Sequence, residues 1–389
     1  MSKPEVMLRK IAVASDSFKG SLTSLEVARS VERAVRGVLP DCEVAIACVA
    51  DGGEGTMEAL QQTLGGQRVT VEVNDPLGRI VGASYVVLAD GVTAVLEMAS
   101  ASGLTLLAPD ERNPLKTSTY GTGQLIRNAL DRGCRKFLVG IGGSATNDAG
   151  IGMLSALGYC FLDASGVELA PSGETMQYVC MIDSSRIHPH LREAEFTVAC
   201  DVTAPLFGPE GAAYVYVPQK GADPQMVEAL DEGLRHFAGV AAGAMGRDCS
   251  HMPGAGAAGG LGYAFRQFLD ARLESGVEMV LGAIGFDKLV EGADLVITGE
   301  GCIDNQTLTG KAPCGIARHA MRLGAPVLAI GGKVCIDKVQ ASEAGFMDVL
   351  QITPPDMPLA IAMKKEIAAE NVYKAVSTWL QKHKKEKKA

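Results

Sequence analysis

Five short segments of the chain set carboxylates, small hydroxyls and lysines beside glycine. SDSFKGS (15–21) carries Asp16, Ser17 and Lys19, and ADGGEGT (50–56) carries Asp51, Gly52, Gly53 and Glu54. GIGGSATNDAG (140–150) joins Gly142 and Gly143 to Ser144, Thr146, Asn147 and Asp148. Asp201 closes FTVACD, and GEGCIDNQTLTGKAP (299–313) holds Gly299, Glu300, Asp304 and Lys311. Glycine lets main-chain N–H groups converge on an anion, an aspartate holds a divalent cation, and a lysine supplies a point charge. Any one segment also reads as a turn with a helix cap, worth about 1 kcal/mol. Five of one composition describe a site for phosphate groups and a divalent cation such as Mg²⁺.

Other motifs compete. PGAGAAGGLG (253–262) contains G-x-G-x-x-G but follows RDCSHMP, which is no strand, so it reads as a close-approach loop opening a helix. GIGGSA (140–145) follows a good strand and has Asp163 about twenty residues on. That is the footing for a nicotinamide oxidoreductase, although it leaves the other four segments unused. Lys311 follows Gly310 but precedes Ala312, so there is no P-loop. His188 and His190 flank a proline among charges and read as an exposed loop rather than metal ligands.

The segments fall where strands end. Short β-branched runs (11–15, 43–49) alternate with 3.6-period segments (25–39, 57–64), and the rhythm returns at 294–301, 313–323, 326–332, 348–353 and a last helix from about residue 368. Strands are also expected at 83–88, 93–98, 136–142 and 195–201, with helices at 123–132 and 262–269. This is the pattern of parallel sheets covered by helices, in which ligands bind beyond the carboxyl ends of the strands. The fold class is α/β in two domains. Residues 1–75 with 285–389 form a discontinuous Rossmann-like parallel-sheet domain, and 76–284 form an inserted α/β domain.

With 389 residues there is material for two or three cores. Glycine, at 46 residues, is well above its usual share of ~7% and marks many tight loops. A net charge of -9 argues against a nucleic-acid partner, because phosphodiesters need a basic surface. No apolar run is long enough for a membrane span, and the N-terminal MSKPEVMLRK has no export signal core. Ten cysteines without a C-x-x-C pair, several inside apolar strands, point to reduced thiols and a cytoplasmic protein. The KHKKEKK run (382–388) reads as a solvated helix end.

The segments SDSFKGS, VADGGEGT, GIGGSATNDAG, ACDVTAPL, PQKGA, PGAGAAGGLG and ITGEG-x-ID-x-Q-x-x-x-GKAP, in this order from about residue 11 to 353, closely resemble the bacterial class I glycerate kinase family. The resemblance implies ATP-dependent phosphorylation of D-glycerate with Mg²⁺, usually to 2-phosphoglycerate, by two α/β domains with the active site in their cleft. The alternatives are a 3-phosphoglycerate product, an oxidoreductase, or a sugar-acid binding protein. On this reading Asp16, Ser17, Lys19, Asp51, Gly52, Gly53, Glu54 and Asn147 meet the substrate. Gly142, Gly143, Ser144, Thr146, Gly299, Glu300 and Lys311 meet the nucleotide. Lys19, Asp148 and Asp201 are the catalytic candidates and Asp201 and Asp304 the metal ligands, with base and metal roles unseparated between Asp148 and Asp201. Cys302 stands where the family commonly has arginine.

Overall fold

A computed structural model describes residues 8–386, so Lys387 and Lys388 of the basic run lie outside the described residues. Numbered along the chain, the strands are β1 (Lys10–Ser15), β2 (Glu43–Cys48), β3 (Gly66–Asn74), β4 (Ile80–Leu88), β5 (Thr93–Glu97) and β6 (Lys136–Gly140). There follow β7 (Cys160–Leu162), β8 (Met181–Asp183), β9 (Glu195–Ala199), β10 (Arg272–Glu274), β11 (Leu295–Ile303), β12 (Val327–Val334) and β13 (Asp348–Gln351). The chain forms two compact units, one of residues up to 51 with 58–64 and from 280 on, the other of 52–57 and 65–279.

The first unit is built on an all-parallel sheet in the order β13-β12-β11-β1-β2. Ile11, Ala12, Val13 and Ala14 are wholly buried, as expected of a strand covered on both faces. The helix Ser24–Val38 starts on a capping box between Thr23 and Glu26 and buries Val27, Val31, Ala34 and Val35. That stripe shares one core with Val372, Val376, Trp379 and Leu380 of the helix Lys365–Glu386. From β1 the chain moves one way to β2, whereas β11, β12 and β13 follow one another the other way. The reversal falls between neighbours β1 and β11, which opens a crevice at their carboxyl ends.

The second unit carries the order β10-β9-β6-β5-β4-β3, parallel from β10 to β5 and antiparallel at β4 and β3. Its core gathers Phe137, Phe196, Phe237, Tyr263 and Phe265. Several elements were not expected from the sequence, β3 and the helix Pro224–Met245 among them. β3 pairs with β4 along its whole length, from Gly66↔Leu88 to Asn74↔Ile80, yet GQRVTVEVN is mostly exposed and only Val69 and Val73 are buried. The helix Pro224–Met245 has a sound start, with Asp223 accepting from Met226 N and proline in its first turn, but Gly233, Gly239 and Gly243 lower its helix propensity.

Gly299 lies inside β11, where an added Cβ would sit 2.4 Å from the Ile330 carbonyl oxygen of β12. Gly299→Ala is expected to lower stability by about 1–3 kcal/mol through overpacking between central strands, read as a fall in Tm. An unchanged Tm would mean that the strands part at no cost.

Candidate active site

The strands of the parallel sheet end on a common rim, and a pocket of ≈ 740 Å³ lies there. Its polar lining includes Asp16, Lys19, Asp51, Glu300, Lys311 and Lys333, facing an apolar wall with Met357, Leu359 and Met363. Asp16 follows β1, donates its N–H to Gly299 O at 2.9 Å, and accepts from Ser17 N at 2.6 Å. It is only 7% exposed. Burial, with the Asp51 carboxylate nearby, pushes its pKa up to about 6. Lys19 is exposed, its Nζ 3.8 Å from Asp51 Oδ2.

Glu300, on β11 across the crevice, is buried with Oε1 lacking a hydrogen-bond partner, while Oε2 lies 4.0 Å from Lys311 Nζ. Its burial raises the carboxyl pKa, an effect opposed by Thr307 and Lys311 and reinforced by Asp16. Asp304 caps the short helix Asn305–Leu308 by accepting from Gln306 N at 2.8 Å and Thr307 N at 3.4 Å. Cys302 lines the same pocket, half-buried, with its thiol pushed up to about 11 by burial and by neighbouring Cys335.

In the second unit the loop after β6 has an exposed tip, Gly142 and Gly143, and a buried stem from Ser144 to Gly150. Lys220 is enclosed beneath it, with Nζ 2.6 Å from Ser144 Oγ and 2.7 Å from the Thr146 carbonyl. Asn147 is fully buried with both amide atoms unpartnered, and Thr146 Oγ1 likewise lacks a partner. The residues Ala258, Gly259 and Gly260 all have left-handed φ/ψ, which lets Gly259 O accept from Ala149 N at 3.0 Å and places the second glycine loop against this stem. A Cβ at Gly259 would lie 2.1 Å from Thr146 O.

Asp148, a base or metal candidate by its place in the sequence, lies inside the second unit. It is wholly buried, and its oxygens accept from Thr119 N and Oγ1 at 2.8 Å each, Gly152 N at 3.2 Å and Gly150 N at 3.1 Å. Burial raises its pKa against these donors. A carboxylate so enclosed organises the loop and presents no oxygen to a ligand. Asp201 instead is exposed and accepts from Gly276 N at 3.2 Å. Gly52 is buried, Gly53 half-buried and Glu54 exposed in the strip of the second unit whose Met57 N donates to Glu97 Oε1 at 2.9 Å.

Asp16, Ser17, Lys19, Asp51, Glu300, Asp304 and Lys311 thus share one pocket, while Ser144, Thr146, Asn147 and Asp148 gather around Lys220 and Thr119. Sequence reasoning passed over Lys220, Lys333 and Glu97. Lys220 stood inside PQKGA, but no strand precedes it and no spacing marks a lysine as buried. His188 was also misplaced: it is buried with Nε2 3.0 Å from Asp131 Oδ1, and His190 reaches Glu193 at 3.3 Å. His251 is exposed, edge-on to Phe207.

The parallel sheet with charged loops at its switch point, and a glycine loop on a second sheet, define an α/β enzyme that handles phosphate. The model of the Glycerate kinase family matches residues 11–382, and the chain belongs to that family. It is therefore a kinase. A glycerate kinase of Halalkalibacterium halodurans is 45% identical over 377 residues, covering 96% of this chain and 99% of the relative. A glycerate 2-kinase of Escherichia coli is 45% identical over 343 residues, covering 88% and 90%. A crystal structure from Salmonella typhimurium, provisionally described as glycerate kinase 2, superposes with a TM-score of 0.91 at 42% identity, covering 98% of this chain and all of that one. Among the described residues no helix is long and apolar enough to cross a membrane.

Asp148→Asn turns an amide NH₂ toward groups that already donate. The expected loss is about 2–3 kcal/mol by urea denaturation, larger than for Asp201→Asn. Equal stability of the two variants would remove Asp148 from its architectural place.

Proposed function

We propose that this kinase transfers the γ-phosphoryl group of ATP to a hydroxyl of D-glycerate with Mg²⁺, giving 2-phosphoglycerate and ADP, in glycerate, glyoxylate or sugar-acid catabolism in the cytoplasm. The observation that carries the reading is the rim pocket, where Lys19, Lys311 and Lys333 face Asp16, Asp51 and Glu300 at a topological switch point. A small hydroxy acid needs a cation for its carboxylate and a base for its hydroxyl, and a nucleotide needs cations and main-chain N–H groups for its phosphates.

Lys19 meets the glycerate carboxylate or the transferred group, with Ser17, Asp51, Gly52, Gly53, Glu54 and Asn147 as further substrate contacts. Gly142, Gly143, Ser144 and Thr146, with Gly299, Glu300 and Lys311, serve the nucleotide. Asp16 takes the role of base, since its pKa of about 6 leaves it ionised at neutral pH yet more basic than an ordinary carboxylate. The hydroxyl oxygen forms a bond to the γ-phosphorus, the bond from that phosphorus to the ADP oxygen breaks, and the hydroxyl proton passes to Asp16.

Among the described residues no group of three His, Cys, Asp or Glu is arranged to hold a metal ion. Mg²⁺ is ordinarily held by one or two carboxylates with water and substrate phosphates, so the exposed Asp201 or the half-buried Asp304 fits such a role, and Glu300 offers an unpartnered Oε1. The metal supplies neutralisation of phosphate charge. The oxidoreductase alternative gives way to the family assignment. The helix after GIGGSA also begins only at Ile151 and runs 6 residues, so no dinucleotide-type helix opens at that loop.

Release of ADP on adding D-glycerate to the enzyme with ATP and Mg²⁺, with the product identified by NMR, tests activity and regiochemistry together. No release overturns the reading, and 3-phosphoglycerate overturns the stated product. Folding penalises ionised Asp16, because its pKa is raised above the ordinary 3.8. That penalty is absent below about pH 4, grows toward pH 6 and is full above it. Asp16→Asn is therefore expected to gain on the order of 2 kcal/mol at pH 7–8 while kcat falls ~10²- to 10⁴-fold. The wild-type kcat should decline as pH drops through about 6. An unchanged kcat in the variant removes Asp16 from the base role. Lys19→Ala should lower kcat/KM for glycerate about 10- to 150-fold, and unaltered glycerate kinetics would leave Lys19 a solvated loop lysine.

A further inference from the structure

We propose that Lys220 is a positioning residue for the nucleotide, holding Ser144 and Thr146 from beneath the glycine loop and lending positive charge to phosphate at the exposed Gly142–Gly143 tip. This rests on the reading that the loop takes nucleotide phosphates. Lys220 ends the turn Pro218–Lys220 and is only 2% exposed, unlike the pocket lysine Lys19. Two of its three donor directions are fixed, at 2.6 Å to Ser144 Oγ and 2.7 Å to Thr146 O. Ser144 is the residue next to the tip, so the ammonium fixes the stem from which the tip projects. Lysine is rarely buried unless a charge or a ligand compensates it.

The charged groups around it give incomplete compensation. Asp148, on the same loop, is already saturated by four donors. Arg112 passes behind Gly221, its carbonyl 2.4 Å from where a Cβ there would lie, and its Nε is buried without a partner. The neighbouring helix Ala212–Tyr216 carries no charge. Burial accordingly pushes Lys220 down to about 7, with Asp148 acting in the opposite sense. An anion on the loop favours the protonated form. Above pH 7 binding must then draw a proton from solvent, and affinity falls with rising pH by up to tenfold per unit. Below pH 7 the lysine is already charged and the dependence vanishes.

Titration calorimetry of ATP with Mg²⁺ at pH 8, in Tris and in HEPES, reads this uptake, because the heats differ with buffer ionisation in proportion to protons taken up. At that pH the nucleotide phosphates are already ionised. The wild type is expected to take up a large fraction of a proton per ATP and to lose affinity several-fold between pH 7 and 9. Lys220→Met is expected to take up none and to bind ATP at least tenfold more weakly at pH 7, with KM for glycerate little changed. Wild-type binding with neither uptake nor pH dependence overturns the inference even if the variant fails to fold, and so does uptake that persists in Lys220→Met. Gly142→Asp isolates the underlying reading: its Cβ meets no atom within 4 Å, so the carboxylate fits and repels phosphate. Unaltered ATP affinity in Gly142→Asp overturns the reading of the loop itself. Weakened affinity there with normal affinity in Lys220→Met leaves that reading standing and overturns the role of Lys220.

Discussion

Where β1 and β11 run side by side, the Asp16 N–H donates to the Gly299 carbonyl at 2.9 Å and Ser15 Oγ donates to the same oxygen. On its other side Gly299 carries no side chain, and β12 packs against it where a Cβ would lie 2.4 Å from Ile330 O. It ties the last residues of β1 to β11 at the point where the sheet's connections diverge, and the rim takes its shape from there. Asp16 and Glu300 are thereby placed opposite each other in a crevice that water reaches poorly, and Lys19 and Lys311 approach from the two following loops.

Desolvation then sets the chemistry of those groups. A carboxylate on a solvated turn would titrate near 4, but burial next to another carboxylate pushes Asp16 up to about 6. The same physics acts with opposite sign in the second unit, where enclosure lowers a lysine rather than raising an acid. Acid and base strengths near neutrality thus come from enclosure and not from residue type alone. The cost is stability, since the ionised form of a buried group opposes folding wherever its partners do not fully compensate it.

The glycine loop of the second unit shows how much structure a short motif can require. Its exposed tip is two residues, whereas its stem is held by Asp148, Thr119 and Lys220 and covered by three successive left-handed residues of another loop. Ala258 adopts φ 53°, which an L-residue tolerates only where packing over-determines it. With a glycine's absent Cβ at residue 259 the two loops meet at main-chain distance.

The strand and helix rhythm of both ends, the α/β class, and the loops that hold carboxylates, glycines and lysines are all legible in the residue order. Those features are local: β-branched runs, capping residues and proline or glycine at helix ends act over a few residues and leave a readable pattern. The residue order did not reveal β3, whose polar face is exposed along most of its length, or the helix Pro224–Met245, whose three glycines lower its helix propensity. Long-range packing alone separates a carboxylate that lines the pocket from one that holds a loop together. Asp16 and Asp148 look alike in sequence, each following a strand among small residues, and burial raises both, yet one faces a pocket and the other is sealed by four donors. The burial of Lys220 was equally unreadable, because the Ser144 hydroxyl and the Thr146 carbonyl that receive it lie more than seventy residues earlier in the chain. Exposure and partners at that separation are properties of packing, and no local spacing records them.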